Sequence, residues 1–310
     1  MAQKNVKVLE ISTTAVKLLE VTRKKRQVFQ VENCIQETYT SKALLESVLK
    51  KVLAESKSPS DPVCTSVWSG TLMTKKIEMP NLNASELDAA VRSEADRHVP
   101  FPLNECVLDH YVMEPSTGHA KSSVMLIAAK KDLIMERCRL LESVGLKMSF
   151  MDIHPLAVAN LYGQFEPDAG EKITALVHLG DAPPAVRGED NFVTILKNGR
   201  PFVIRDLGDK LSAAEVTEEQ WSQTTAQIVN AARFFETTFG SKVERFRLSG
   251  HKEVCAKMAG LIKAQSAADV AAWSAADLFK YAHPDAREEL SRNESAFVVS
   301  LGVAVRGLSA

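Results

Sequence analysis

The chain has no Cys-x-x-Cys pair, no His-Glu-x-x-His helix motif and no Gly-x-Ser-x-Gly elbow, and each absence removes a class of chemistry. Its five cysteines, Cys34, Cys64, Cys106, Cys138 and Cys255, are scattered and odd in number. That pattern indicates neither a disulfide framework nor a zinc site and suits a reducing compartment. Seven histidines, His98, His110, His119, His154, His178, His251 and His283, show no paired-ligand spacing, which disfavours a catalytic metal. No run approaches the ~20 apolar residues of a spanning helix. Lys4, Lys7, Glu10 and Lys17 interrupt the first twenty positions, leaving no signal-peptide core. A formal net charge of −1 gives no electrostatic reason to expect a nucleic-acid partner.

What is present is ample material for folding. With 310 residues, 45% hydrophobic and 25% charged, the chain buries a substantial core and has room for two domains. Strand-like and helix-like segments alternate, which predicts α/β layers. Strands are expected at Val6 to Ile11, Val16 to Val21, Gln27 to Glu32, Val63 to Trp68 and Leu72 to Met79. A helix from Lys42 to Ala54 places Leu45, Val48, Leu49 and Val52 on one face, and residues 56–62, rich in Ser and Pro, form a turn. A second helix starts at Asn83, whose side chain caps it while Glu86 reaches back. Leu87, Val91 and Ala95 make its stripe, and Pro100 and Pro102 stop it. Val124 to Ala129, Lys131 to Ser143 and Leu146 to Ile153 read as an inserted β-α-β unit.

The second half opens at Ile173 with strand, turn and strand. Its main helix runs from Thr217 to Thr238, with Thr217 and Gln220 as a capping pair and Gly240 as the stop. Phe234-Phe235 reads as a core pair on that helix. A short strand at Phe246 to Leu248, the turn Ser249-Gly250-His251 and a helix through Ile262 follow. Phe297 to Leu308 is almost wholly apolar and is expected to be a buried terminal helix.

Two segments look like one hairpin written twice: Val8-Leu9-Glu10-Ile11-Ser12-Thr13 and Leu176-Val177-His178-Leu179-Gly180-Asp181. Each is a short apolar strand running into a polar turn, which suggests a duplicated core. The segment from Ala90 to Leu103, with Val99-Pro100-Phe101-Pro102-Leu103 at its centre, continued by Val107-Leu108-Asp109, resembles the signature of the PilM family, the actin-like proteins of type IV pilus assembly related to FtsA. The same order of elements extends through Lys75-Lys76-Ile77-Glu78-Met79-Pro80, Ile127 to Lys131, Val144 to Lys147 and the closing Leu301 to Leu308. The Val-Pro-Phe-Pro-Leu stretch is fairly specific, whereas glycine-containing turns alone are weak evidence.

The resemblance implies an α/β, two-lobed actin-like fold around a central cleft. Residues 1–83 and 152–170 would form the first lobe, 84–151 an inserted family-specific subdomain, and 171–310 the second lobe. It further implies ATP and magnesium between the lobes, held by an Asp-x-Gly turn in each lobe and a glycine-rich turn under the adenosine. Closely packed amides hold phosphates there, and acidic oxygens organise the metal's water shell. This sequence departs from that pattern. Glu10 and Ser12 stand where the first Asp and Gly would be, and Ser12 adds a Cβ that restricts the turn. His178 replaces the second acid and is a poor ligand for Mg²⁺. Pro183 and Pro184 after Gly180 have no amide hydrogen to donate, and His251 and Lys252 follow Ser249-Gly250 where small residues belong. The nucleotide-binding candidates are therefore degenerate: Glu10, Ser12, Thr13, Lys17, His178, Gly180, Asp181, Ser249 and Gly250. No cofactor is assigned, with ATP and Mg as the alternative.

The leading function is a cytoplasmic adaptor of a type IV pilus or type II secretion-like assembly, with weak or no ATPase activity, associated with the inner membrane through a partner. By resemblance, a groove between the base of the first lobe and the inserted subdomain would hold the N-terminal cytoplasmic tail of a single-span PilN-type protein, alongside other assembly components and self-association. Arg92, Glu94, Val99, Pro100, Phe101 and Pro102 are the candidates for that groove. One alternative is an active ATPase with Glu10 organising magnesium. Another is an FtsA-like filament former, which would need an amphipathic C-terminal anchor that Gly307-Leu308-Ser309-Ala310 does not supply. The basic run Arg23-Lys24-Lys25-Arg26 reads first as a solvated hairpin tip and second as a lipid-headgroup contact.

Overall fold

The computed structural model describes residues 4–25, 28–59, 61–114, 121–180, 191–208, 211 and 216–309. The chain opens with strands β1 (Asn5–Ile11), β2 (Ala15–Lys25) and β3 (Val28–Thr38). Helix α1 (Leu45–Ala54) then leads to β4 (Val63–Val67). Next come β5 (Met73–Met79), α2 (Ala84–Ala95), β6 (Cys106–Glu114), β7 (Ser122–Lys130) and α3 (Lys131–Ser143). Strand β8 (Met148–Ile153) and helix α4 (His154–Phe165) close the first half. The second half contains β9 (Thr174–Leu179), β10 (Phe192–Lys197), β11 (Arg200–Asp206), α5 (Glu218–Phe239) and β12 (Arg245–Gly250). It ends with α6 (Lys252–Lys263), β13 (Asp269–Ala272), β14 (Lys280–Tyr281), α7 (Pro284–Arg292) and α8 (Glu294–Ser309).

The duplication is explicit in the pairing. The first sheet runs β14-β3-β2-β1-β4-β8 and the second runs β11-β10-β9-β12-β13. In each, the first three strands form an antiparallel meander, and the fourth and fifth add in parallel beside the first. Both halves therefore share the order third, second, first, fourth, fifth, which is the repeated core of the two-lobed actin-type fold. The strands at the centre of each sheet are buried on both faces; β9 and β10 meet that environment with mostly apolar runs, and β4 with Val63, Cys64 and Val67 around the small polar Thr65 and Ser66.

Strand pairing moves the expected boundaries. Strand β5, assigned to the first lobe from sequence, pairs with β7 in a separate sheet of order β5-β7-β6. Strand β8, expected mostly within the insertion at 84–151, belongs to the first sheet beside β4. The inserted element is thus an antiparallel sheet with α2 and α3, and the expected β-α-β unit is not one: β7 and β8 lie in different sheets. Helix α8, expected in the second lobe, packs mainly against β1, β2 and β4 of the first sheet and also touches β12 of the second, while α4 packs against β10 and β11 of the second sheet and β4 and β8 of the first. The two helices also pack on each other. Their crossing is tight enough that a Cβ on Gly302 would lie 2.1 Å from the Ala157 carbonyl oxygen.

Local signals behaved as their chemistry dictates. Asn83 with Glu86 and Thr217 with Gln220 form complete capping boxes, and Gly240 ends α5 at φ 66°. The Phe234-Phe235 pair divides: Phe235 is buried, whereas Phe234 is 47% exposed beneath the Arg205 guanidinium. Adjacent residues of a helix lie about 100° apart, so both cannot face one core.

Candidate functional site: an interlobe cleft and a second groove

The cleft lies beyond the carboxyl ends of β1, β4 and β9, the position at which parallel α/β sheets bind ligands. A cavity of about 470 Å³ there is lined by Glu10, Ser12, Thr13, Lys17, His178 and Gly180, together with Trp68, Arg137, His154 and Ala296. Six of the nine nucleotide candidates therefore meet in one place. Ser249 stands behind His178, with its hydroxyl 3.0 Å from the imidazole Nδ1. Asp181 and the loop through Asp190, with Pro183 and Pro184, lie outside the described residues.

The groups that would hold phosphates are engaged elsewhere. The Ser12 hydroxyl accepts from the amides of Ala15 at 3.1 Å and Thr14 at 3.4 Å, closing the β1–β2 turn as a serine turn. The Cβ expected to restrict this turn is accommodated, because Ser12 is not among the residues at positive φ. What changes is the amide supply, since the hydroxyl occupies two turn N–H groups that a glycine turn would leave for an anion. The Tyr39 hydroxyl also donates to the Ser12 carbonyl. In the second lobe the Gly180 amide donates to Asn191 Oδ1 at 3.0 Å. The Lys17 ammonium donates to the Ala296 carbonyl of α8 at 2.8 Å. Glu10 is buried with Oε2 3.6 Å from His154 Nε2. Gly250, expected under an adenosine, has φ 122°, and a Cβ there would lie 1.8 Å from the Leu179 carbonyl oxygen. That close approach between parallel strands β12 and β9 requires glycine.

A magnesium triphosphate does not fit this donor set. Among the described residues its acids are Glu10, already beside an imidazole, and Glu136, paired with Lys42 at 2.6 Å, and the facing position holds His178. Among the described residues no three His, Cys, Asp or Glu side chains converge. The free cysteines are also uninvolved: Cys34, Cys64, Cys106 and Cys255 are buried, and burial pushes the Cys64 thiol up to about 11.

A second cavity, of about 720 Å³, lies where the inserted sheet meets β8, α4 and the β10–β11 turn. Ile127, Ile134, Ile153 and Leu156 give it an apolar floor, and Asp109, His110, Asn160, Arg200 and Arg306 stand around it. The inserted sheet is fastened to the second lobe at its rim. The Tyr111 hydroxyl donates to the Pro201 carbonyl at 2.6 Å, Arg200 Nη1 donates to the Val112 carbonyl at 2.9 Å, and Lys197 pairs with Glu114 at 2.7 Å. Asp152, at the end of β8, is buried. Its Oδ1 accepts from Arg306 at 2.8 Å and from the Ile153 amide, while Oδ2 has no partner. Burial raises the pKa of this carboxyl against the opposing pull of Arg306.

The partner candidates drawn from the family signature are not in this groove. Alternation along β7 explains why: Val124, Leu126 and Ala128 join Leu87, Val91, Ala95 and Val99 in a small core under α2, whereas Met125, Ile127 and Ala129 face the main core. Val99 is buried in that small core and Phe101 packs on it, so the Val-Pro-Phe-Pro segment stops a helix and plugs a sheet face. Pro100 and Pro102 follow the helix as its terminators. Arg92 pairs with Asp88 at 3.1 Å, and Glu94 pairs with Arg97 at 3.1 Å. The groove residues missed from sequence had one signal, an acid at position 152 closing an apolar strand just before a helix with Pro155 in its first turn. The basic run is partly pinned: Arg23 donates to the Leu308 carbonyl, Lys24 pairs with Glu32 at 2.7 Å, and Arg26 lies outside the described residues.

Comparison with known proteins adds three findings. The family model described as Type IV pilus assembly protein PilM matches residues 8–206. A chain of a PilM-PilN type IV pilus biogenesis complex shares the fold at 18% identity, with a TM-score of 0.74 over 99% of each chain. The cytoplasmic domain of EpsL, an inner membrane component of the type II secretion system of Vibrio cholerae, is 12% identical, with a TM-score of 0.48 over 79% of this chain and 81% of that one.

Proposed function

This chain belongs to the PilM family of type IV pilus assembly proteins, and on that premise we propose that it is an adaptor holding the cytoplasmic tail of a PilN-type, membrane-anchored partner. The observation that carries this reading is the second cavity. It is apolar at its floor and polar at its rim, and it is framed by three separate parts of the chain, as peptide grooves commonly are. The interlobe cleft has instead committed its turn amides and Lys17 to internal bonds. On this reading the protein acts by binding, with weak or no ATP hydrolysis. No helix among the described residues is long and apolar enough to cross a membrane, so membrane association would run through the partner, from the cytoplasmic side.

The test is co-purification of the full chain with a peptide of the PilN-type protein's N-terminal tail from the same organism. Leu156→Arg or Asn160→Trp, both at the groove, should abolish capture, while Glu10→Gln and His178→Ala should leave it intact. Equal loss from both pairs of variants would count against the groove.

A further inference from the structure

Among the described residues, Glu10 Oε1, Ser66 Oγ and Trp68 Nε1 are buried without a hydrogen-bond partner, and all three residues line the interlobe cavity. Their exposures are 6%, 1% and 8%. Buried polar groups are ordinarily bonded, and each exception asks for a partner. The pairing of β1 with β4 brings these groups together. Val8 stands beside Cys64 in that parallel pair, so two residues further on Glu10 stands beside Ser66, with Trp68 just past the end of the same strand. The cations around the cavity are already engaged. Lys17 faces Glu10 across β1 and β2 and donates to the Ala296 carbonyl, Arg137 Nη2 donates to the Ile11 carbonyl at 2.8 Å, and Lys42 pairs with Glu136. The unmet groups are thus an acceptor, a donor and a hydroxyl that serves as either. Val67, Leu133, Leu140 and Val299 supply aliphatic walls beside them. Apolar walls around a few convergent polar groups describe a small-molecule site, and the volume of about 470 Å³ admits a ring system. Ordered water would answer the polar atoms, but a flat ring with a polar edge answers the walls as well.

We propose that the cleft binds a small, uncharged heteroaromatic amine of the aminopyrimidine kind, without phosphate or metal. One edge of such a ring carries an amino donor and a ring-nitrogen acceptor side by side. These complement the Glu10 carboxylate and the Trp68 indole N–H, and the Ser66 hydroxyl takes either role. A phosphate in the same place would face the Glu10 carboxylate and find two turn amides already held by Ser12. A fixed positive charge would meet Lys17 and Arg137, which line the same cavity. The site is separate from the partner groove, so neither reading depends on the other.

The experiment follows the indole N–H signals of the full chain by NMR as 2-aminopyrimidine is added in the presence of EDTA. The tryptophans are Trp68, Trp221 and Trp273, and Trp68→Phe identifies the cleft signal. That signal should move saturably while the other two stay in place. Unsubstituted pyrimidine, which lacks the donor, should leave it unmoved at the same concentration. Glu10→Met keeps the side chain's length without its acceptor and should weaken binding about tenfold, the scale of one lost hydrogen bond. Should that variant fail to fold, the comparison of the two ring compounds on the wild-type chain tests the same contact. A Trp68 signal that stays still at millimolar 2-aminopyrimidine, or moves equally with pyrimidine, would overturn the proposal. So would a Trp68 response to magnesium pyrophosphate in a sample without EDTA, which would mark the cleft as a phosphate site.

Discussion

Glu20 shows how much a single buried side chain organises. It sits on β2 and accepts hydrogen bonds from Asn33 Nδ2, Ser56 Oγ and the amides of Lys57 and Ser58, at 2.8–3.0 Å. It thereby fastens the loop between α1 and β4. Burial alone would raise its pKa, but these donors outweigh burial and hold the carboxyl below its ordinary value of 4.5. A group depressed in the folded state contributes stability that is fully present above its unfolded pKa and is lost as pH falls through the folded one. Urea denaturation of wild type and Glu20→Gln at stepped pH should therefore give a gap that is constant above about pH 5 and narrows below 4.5. A gap independent of pH would remove Glu20 from the acid response. At this scale the sequence disclosed which residues occupy the cleft but not what they bond to. The family resemblance marked Glu10, Ser12 and His178 as departures from a phosphate site. That the Ser12 hydroxyl would capture two turn amides depends on a rotamer, and no pattern of residue types encodes one.

Elements with local causes were legible, and those with distant causes were not. The two capping boxes and the glycine stop of α5 need only a few neighbouring residues, and both helices stand where the spacing put them. Strand β6 was missed because it is an edge strand of a small sheet, and its partly exposed Val107-Leu108-Asp109-His110 run has no clean alternation. Strands β13 and β14 and helix α7 are short and are placed by partners far away in the chain. The crossing of α4 and α8 is an element-scale feature with a direct test. Replacing a helical glycine with alanine ordinarily stabilises by about 1 kcal/mol. In α8, Gly302→Ala should reverse that sign, because the added carbon meets the Ala157 carbonyl at 2.1 Å and overpacking costs roughly 1–3 kcal/mol or more. In α6, Gly260→Ala meets nothing within 4 Å and should keep the ordinary sign. Thermal unfolding of the two variants side by side checks the contrast; a gain in stability for both would mean the helices can part at little cost.

For the whole molecule, the duplicated α/β core was visible in the two hairpins, while the partition of the chain among its sheets was not, since strand neighbours are chosen by tertiary pairing. The cleft reading makes a prediction at this scale. A ligand at a hundred times its dissociation constant stabilises a protein by about 2.7 kcal/mol. Millimolar Mg-ATP should produce no shift in the unfolding temperature here, and a shift that disappears with EDTA would show that a metal triphosphate is bound after all. The packing of the last helix on the first sheet has a further consequence for biosynthesis. The first sheet takes its outermost strand from residues 280–281 and the cover of one face from α8 at 294–309, while α1 covers the other, so a nascent chain that has emerged only through β8 leaves one apolar face of that sheet open. Folding of the leading half must wait for the trailing residues to clear the ribosome, and in that interval the unfinished sheet is a natural client for a chaperone.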